Sequence, residues 1–131
     1  MSIIIKDQAD IAAMRTACRL AAEVLDYITP YVQTGVTTNT LDKLCHDYMV
    51  DVQGAIPAPL NYAPPGHAPY PKSICTSINH QICHGIPSDK PLKKGDIVNI
   101  DITVIKDGWH GDTSRMFMLG GESQSSIAPR R

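Results

Sequence analysis

From Ile97 to Met118 apolar and polar residues alternate, with one break at Asp107-Gly108, and few folds accommodate such a run. Alternation sends successive side chains to opposite faces of a strand, and Asp-Gly favours a two-residue type I′ turn. The pattern predicts an antiparallel hairpin with strands over Ile97–Lys106 and 109–119. With Asp107 and Gly108 as the loop, Lys106 faces Trp109, Thr103 faces Asp112 and Asp101 faces Ser114. Asp101, Thr103, His110, Asp112 and Ser114 then share one face. Val98, Ile100, Ile102, Val104, Trp109 and Phe117 share the other, a surface for helices to cover. Asp101 and Asp112 become diagonal neighbours, with Cα atoms roughly 7–8 Å apart.

Two aspartates side by side in a sheet repel each other. If they are half-buried, one must stay protonated unless a cation lies between them. A divalent ion resolves both problems, because carboxylates suit hard or borderline ions and bridge the paired ions of hydrolytic sites. A solvated face on an exposed hairpin would carry the same residues, and the pattern alone leaves both readings open. Two carboxylates also fall short of the roughly four donors that a zinc-type site needs. Five histidines could add to them. His84, in Cys83-His84-Gly85-Ile86-Pro87, is placed at a strand end, where catalytic groups often emerge. His110 is a candidate neighbour of the aspartates. His46 is read as a surface residue, His67 lies in a proline-rich loop and His80 in an exposed turn.

Upstream, Ile11, Met14, Cys18, Ala22, Leu25 and Ile28 recur at helical spacing and predict one apolar stripe, with Asp7 as N-cap and Thr34-Gly35 as the close. Pro30 should weaken the last turn. A second helix, capped by Thr37 or Thr38, is expected to bury Leu41, Leu44, Cys45, Tyr48 and Val52. Six of the ten prolines fall between Pro57 and Pro71, a density that excludes helix and central strand. This stiff, apolar, tyrosine-containing segment suits the wall of a binding pocket, although an Ω-loop packed on itself has the same composition. Short strands are expected over 74–79 and 81–84, joined at Asn79-His80. Residues 120–131 form a polar tail with one glutamate, Glu122, and no histidine.

At 131 residues, with 43% apolar and 19% charged residues, the chain has the size and balance of one globular domain. Twelve basic residues against 13 acidic ones leave no basic excess for nucleic acid. No apolar run approaches the roughly 20 residues of a membrane span, and no leader pattern is visible, so a cytoplasmic protein is expected. Cys18, Cys45, Cys75 and Cys83 include no Cys-x-x-Cys pair and are read as reduced, with Cys18 and Cys45 in apolar helix stripes.

Four stretches in order, Tyr70-Pro71-Lys72-Ser73-Ile74-Cys75-Thr76-Ser77-Ile78-Asn79, Ile82-Cys83-His84-Gly85-Ile86-Pro87, Gly95-Asp96-Ile97-Val98-Asn99-Ile100-Asp101 and His110-Gly111-Asp112-Thr113-Ser114, closely resemble type I methionine aminopeptidases. The resemblance runs from the first helix to about Leu119. It implies an α/β fold of the α+β kind, half of a pita-bread fold, with an antiparallel sheet and helices packed on one face. It also implies that residues 1–131 are the N-terminal half of the catalytic domain, with the second half absent from this chain.

The family removes N-terminal methionine from peptides and nascent chains with two divalent metal ions (cobalt, manganese, iron or zinc) held by two aspartates, a histidine and two glutamates. By resemblance Asp101 and Asp112 are the aspartate ligands. His84 contacts substrate and assists proton transfer as a catalytic group, and Tyr62, Tyr70 and Cys75 line the methionine pocket. Pro59 stands where some members have cysteine, and the loop Ala63-Pro64-Pro65-Gly66-His67-Ala68-Pro69 is longer than in the bacterial enzymes. The remaining ligands belong to the second half, so the isolated chain is expected to be inactive. A monomer is expected when complete, with no nucleic-acid or membrane partner. The alternatives are a prolidase-like peptidase and a non-catalytic pita-bread module that binds peptides or proteins.

Overall fold

The computed structural model describes residues 2–120. The polar tail over 121–131 lies outside the described residues. The predicted hairpin is present as β3 (Ile97–Lys106) and β4 (Trp109–Met118), joined by Asp107 and Gly108 at positive φ of 50° and 83°. Every expected pair forms, from Ile97 opposite Met118 to Lys106 opposite Trp109, without a bulge. Along its other edge β3 pairs antiparallel with two short strands. These are β2 (Cys75–Ile78), opposite residues 98–101, and the two-residue β1 (Ile56–Pro57), opposite residues 104–105. Proline cannot donate to a ladder, which suits Pro57 to this short edge strand.

Helix α1 (Gln8–Ile28) begins in a capping box in which Asp7 and Asp10 each accept the other's backbone N–H. It ends in a single 3₁₀ turn, Thr29–Tyr31, with Pro30 inside it rather than in the α-helix. The buried face differs from the expected stripe: Ala17, Ala21, Val24, Leu25 and Ile28 point inward, whereas Met14, Cys18 and Ala22 are exposed. Gly111 explains the rotation. A β-carbon at Gly111 would lie 2.2 Å from the Ala17 carbonyl oxygen, so the helix backbone rests directly on β4. Such close approach selects small residues at the crossing, and the larger Met14 turns away. The C-terminal end of α1 is tied to the sheet by Arg115, which bonds Asp26 and Thr29, each at 3.0 Å.

Helix α2 (Thr38–Asp47), capped by Thr37, continues into a π turn over Tyr48–Val52. The Gln53 N–H bonds the Tyr48 carbonyl, and this wider turn rotates the end of the helix relative to the 3.6-residue period. Val52, expected inside, is therefore exposed, while Met49 follows Leu41 and Cys45 into the core and Leu44 and Tyr48 are only half-buried. The core lies between the helices and one sheet face, where Leu25, Ile28, Leu41, Cys45 and Met49 meet Val98, Ile100, Ile102 and Val104. The result is an α+β fold with an antiparallel sheet whose helices leave the aspartate face uncovered.

The expected strand over 81–84 does not form. Gln81 bonds Ile78 through its N–H, but the Ile78 N–H goes to the Gln81 side chain, so the ladder stops after half a pair. Asn79 is diverted to β3, accepting from the Ile97 N–H and donating to Asp96.

The crossing predicts that Gly111→Ala destabilises the chain by about 1–3 kcal/mol, the usual cost of overpacking. Urea denaturation checks this, and an unchanged midpoint would mean that α1 can lift from β4 at no cost.

Candidate active site

On the face opposite the helices, Asp101, Thr103, His110 and Asp112 line one side of a cavity of about 770 Å³. The facing wall is the proline-rich segment, contributing Ala58, Pro59, Tyr62, Pro64, His67 and Tyr70. Of the two readings open for that segment, the pocket wall is the one observed. Its base is closed by two backbone bonds, Asn61 N–H to the Tyr70 carbonyl and Tyr70 N–H to the Tyr62 carbonyl, each 2.8 Å. A turn from the Pro64 carbonyl to the His67 N–H shapes its tip.

All six residues singled out from the sequence border this one cavity: Tyr62, Tyr70, Cys75, His84, Asp101 and Asp112. Asp101 is half-buried and Asp112 exposed. Thr103 donates to the Asp112 carboxylate at 3.0 Å. Burial raises the Asp101 carboxyl above its ordinary value, and Asp112 raises it further as a neighbouring charge and hydrogen-bond partner, while His84 acts in the opposite sense. Cys75 stands opposite Asp101 in the β2–β3 ladder, and burial pushes its thiol up. The Tyr70 hydroxyl donates to the Ile74 carbonyl at 2.9 Å, and burial, followed by contact with Cys75, keeps it protonated far above its ordinary range. Tyr62 is 65% exposed at the rim.

His84 is not at a strand end, since residues 81–84 form no strand. It occupies a left-handed backbone position, φ 57°, just before Gly85. Gly85 lies flat on β2, where a β-carbon would meet the Thr76 carbonyl oxygen at 2.1 Å. The Gly85 carbonyl accepts the Thr76 N–H, and its own N–H donates to Ser77 Oγ. This clamp holds His84 at the cavity. His46, read as a surface residue, is instead half-buried, with Nδ1 2.7 Å from Ser73 Oγ. Two supports escape the sequence reading, Gly85 as a clamp and Asp42 as a buried backbone acceptor.

The donor chemistry fits part of a divalent site. Two carboxylates converge, and Asp112 penalises ionisation of Asp101 in a way that a cation would relieve. Among the described residues no group of three or more His, Cys, Asp or Glu side chains is placed to hold an ion.

Paired aspartates on neighbouring strands, Asp101 on the central β3 and Asp112 on β4, thus border an apolar cavity. Residues 12–128 match metallopeptidase family M24, and the chain belongs to that family. It is 57% identical over 131 residues to the methionine aminopeptidase of Rickettsia prowazekii, covering all of this chain and 47% of that protein. It is 60% identical over 121 residues to the methionine aminopeptidase of Escherichia coli K12, covering 92% of this chain and 44% of that one. The crystal structure of the Rickettsia prowazekii enzyme superposes with a TM-score of 0.85 at 59% identity, over 92% of this chain and 46% of that chain. The fold is therefore the pita-bread type of these aminopeptidases, and the chain spans about half the length of the relatives it matches.

The raised Asp101 carboxyl carries a stability consequence. Its protonated form is favoured in the folded state, so its contribution is complete at acid pH and is lost as pH rises through the raised value. Without metal, Asp101→Asn should be more stable than the parent chain at pH 7, by up to about 1 kcal/mol, the scale of a cross-strand charge contact. The difference should close at acid pH. Urea midpoints across that range check it, and a less stable variant at pH 7 would contradict the repulsion.

Proposed function

We propose that these residues form the aspartate side of the site of a methionine aminopeptidase, which removes N-terminal methionine from peptides and nascent chains. The observation that carries this reading is the convergence of Asp101 and Asp112 at one side of an apolar cavity bordered by Tyr62, Tyr70, Cys75 and His84. Asp101 and Asp112 would hold divalent ions, of cobalt, manganese, iron or zinc, two in the complete site. When bound, such ions supply Lewis-acid polarisation of the scissile carbonyl and a water nucleophile at neutral pH.

The chain's own residues do the rest. The apolar wall from Pro59 to Tyr70 and Cys75 takes an unbranched thioether side chain and excludes water around it. The Tyr70 hydroxyl, spent on a backbone carbonyl, presents a ring rather than a donor to that side chain. His84, clamped beside the carboxylates, is positioned to contact the substrate backbone and to move a proton. Thr103 fixes the orientation of Asp112 through its Oδ1.

The described residues supply two carboxylates, so by themselves they would hold a divalent ion weakly and release little or no methionine. Among them no helix is long and apolar enough to cross a membrane. A cytoplasmic, monomeric enzyme acting in protein maturation is the setting that we infer.

The test begins with the intact mass of the protein from its source, which establishes the polypeptide to assay. With added divalent ion, that protein should release methionine from a Met-Ala peptide and leave an Xaa-Pro dipeptide intact. The reverse preference would make it a prolidase-type peptidase, and peptide binding without cleavage would make it a binding module. Asp101→Asn should lower methionine release by about a hundredfold or more. Full activity in that variant would remove Asp101 from the ligand set.

A further inference from the structure

Behind the cavity, helix α2 carries a buried carboxylate whose bonding partners are backbone groups. Asp42 is 9% exposed, and its Oδ1 accepts the N–H groups of Ser73 at 2.8 Å and Ile74 at 3.1 Å. One turn later on the same helix face, His46 holds the Ser73 hydroxyl. Neither Asp42 and His46 nor the Ser73 and Ile74 they hold border the cavity, but Tyr70 and Cys75, on either side of them in the chain, do. The Ile74 carbonyl accepts the Tyr70 hydroxyl, and the next residue, Cys75, opens β2 opposite Asp101. A continuous path thus runs from the α2 carboxylate through the Ile74 peptide to Tyr70. The segment also joins the end of the proline-rich wall to the strand beside Asp101, so a shift there would move both sides of the cavity.

We propose that Asp42, assisted by His46, is a positioning residue that sets the inner wall of the cavity by holding the backbone of residues 73–75. The feature that matters is an acceptor oxygen at one point rather than a negative charge. Asparagine offers the same Oδ1 to the same two N–H groups, whereas alanine leaves two buried donors unpaired. A carboxylate that merely supported the fold would act on the whole core alike. The role of this wall in holding substrate rests on the methionine aminopeptidase reading.

Alkylation of the 131-residue chain with N-ethylmaleimide, followed residue by residue by mass spectrometry, separates these roles. Cys75 reports on the wall and the fully buried Cys45 on general opening of the core. In Asp42→Ala, Cys75 should react about tenfold faster than in the parent, while Cys45 changes no more than it does in Asp42→Asn, which removes the same neighbouring charge, as local opening requires. Asp42→Asn should restore the parent rate to within about twofold. Equal acceleration of Cys45 and Cys75, an unchanged Cys75 rate in Asp42→Ala, or no rescue by asparagine would each overturn the proposal. Should Asp42→Ala fail to fold, His46→Ala takes its place, with an expected acceleration at Cys75 of about threefold and the same control. Added methionine amide should slow alkylation of Cys75 in the parent chain. Absence of that protection would count against the methionine pocket while leaving the comparison of variants intact.

Discussion

The unbroken pairing of β3 with β4 is the constraint on which the rest of the site depends. Side chains in a ladder alternate strictly, so one extra residue in either strand would send one aspartate to the helix face and leave the other alone. The register is held from two directions. The type I′ turn at Asp107-Gly108 fixes the start of the ladder, and the buried row Val98, Ile100, Ile102 and Val104 fixes which face turns inward. A slip would bring Asp101 and Thr103 into the core in place of isoleucine and valine. The same burial that stabilises the sheet therefore holds two like charges together on its other side.

That arrangement works against stability in the metal-free chain and in favour of chemistry. Like charges on adjacent strands are ordinarily avoided. Here neither aspartate has a lysine or arginine partner among the hydrogen bonds and ion pairs of the described residues, and Asp112 accepts from neutral Thr103. Hydroxyl donation orients a carboxylate without neutralising it, whereas a lysine or arginine in the same place would compete with any cation. Gly111, between His110 and Asp112, adds a second economy of space. It lets α1 lie on β4 and cover the opposite face without lifting the strand that carries Asp112.

Much of this is legible in the sequence, for reasons that differ from element to element. The hairpin can be read residue by residue because alternation and turn chemistry agree over its whole length. The proline segment can be identified as rigid and apolar, but composition does not decide whether it faces a cavity or itself. Three readings fail where local contacts override the apolar pattern. The α1 stripe is misplaced because alanines, which carry little hydrophobic signal, form much of the buried face, with Ala17 at the closest crossing. Val52 is misplaced because a π turn changes the period without leaving a composition mark. The strand over 81–84 is expected from its apolar residues, yet Gln81 and Asn79 use their side chains to break the ladder. The candidate site residues are legible mainly through resemblance, since Tyr62 and Tyr70 lie far from the aspartates in sequence and only the fold brings them together.

The two walls of the cavity reach rigidity by different means, and the difference suits their tasks. The carboxylate wall is a regular ladder in which backbone bonds recur at every second residue, so its charged groups are held to small tolerances. The apolar wall has no such ladder. Its prolines limit the conformations open to the unfolded segment, which lowers the entropy lost on ordering it. Paired backbone bonds at Asn61 and Tyr70 then close its base. Between the walls, the backbone N–H groups of Gly85, Ser73 and Ile74 are held by donating to Ser77 Oγ and Asp42 Oδ1, in addition to the burial of Ile74 in the core. Directional bonds to backbone amides locate a peptide more closely than apolar contact does. Their presence where the two walls join is what a cavity requires if its apolar and charged ends are to keep a constant separation.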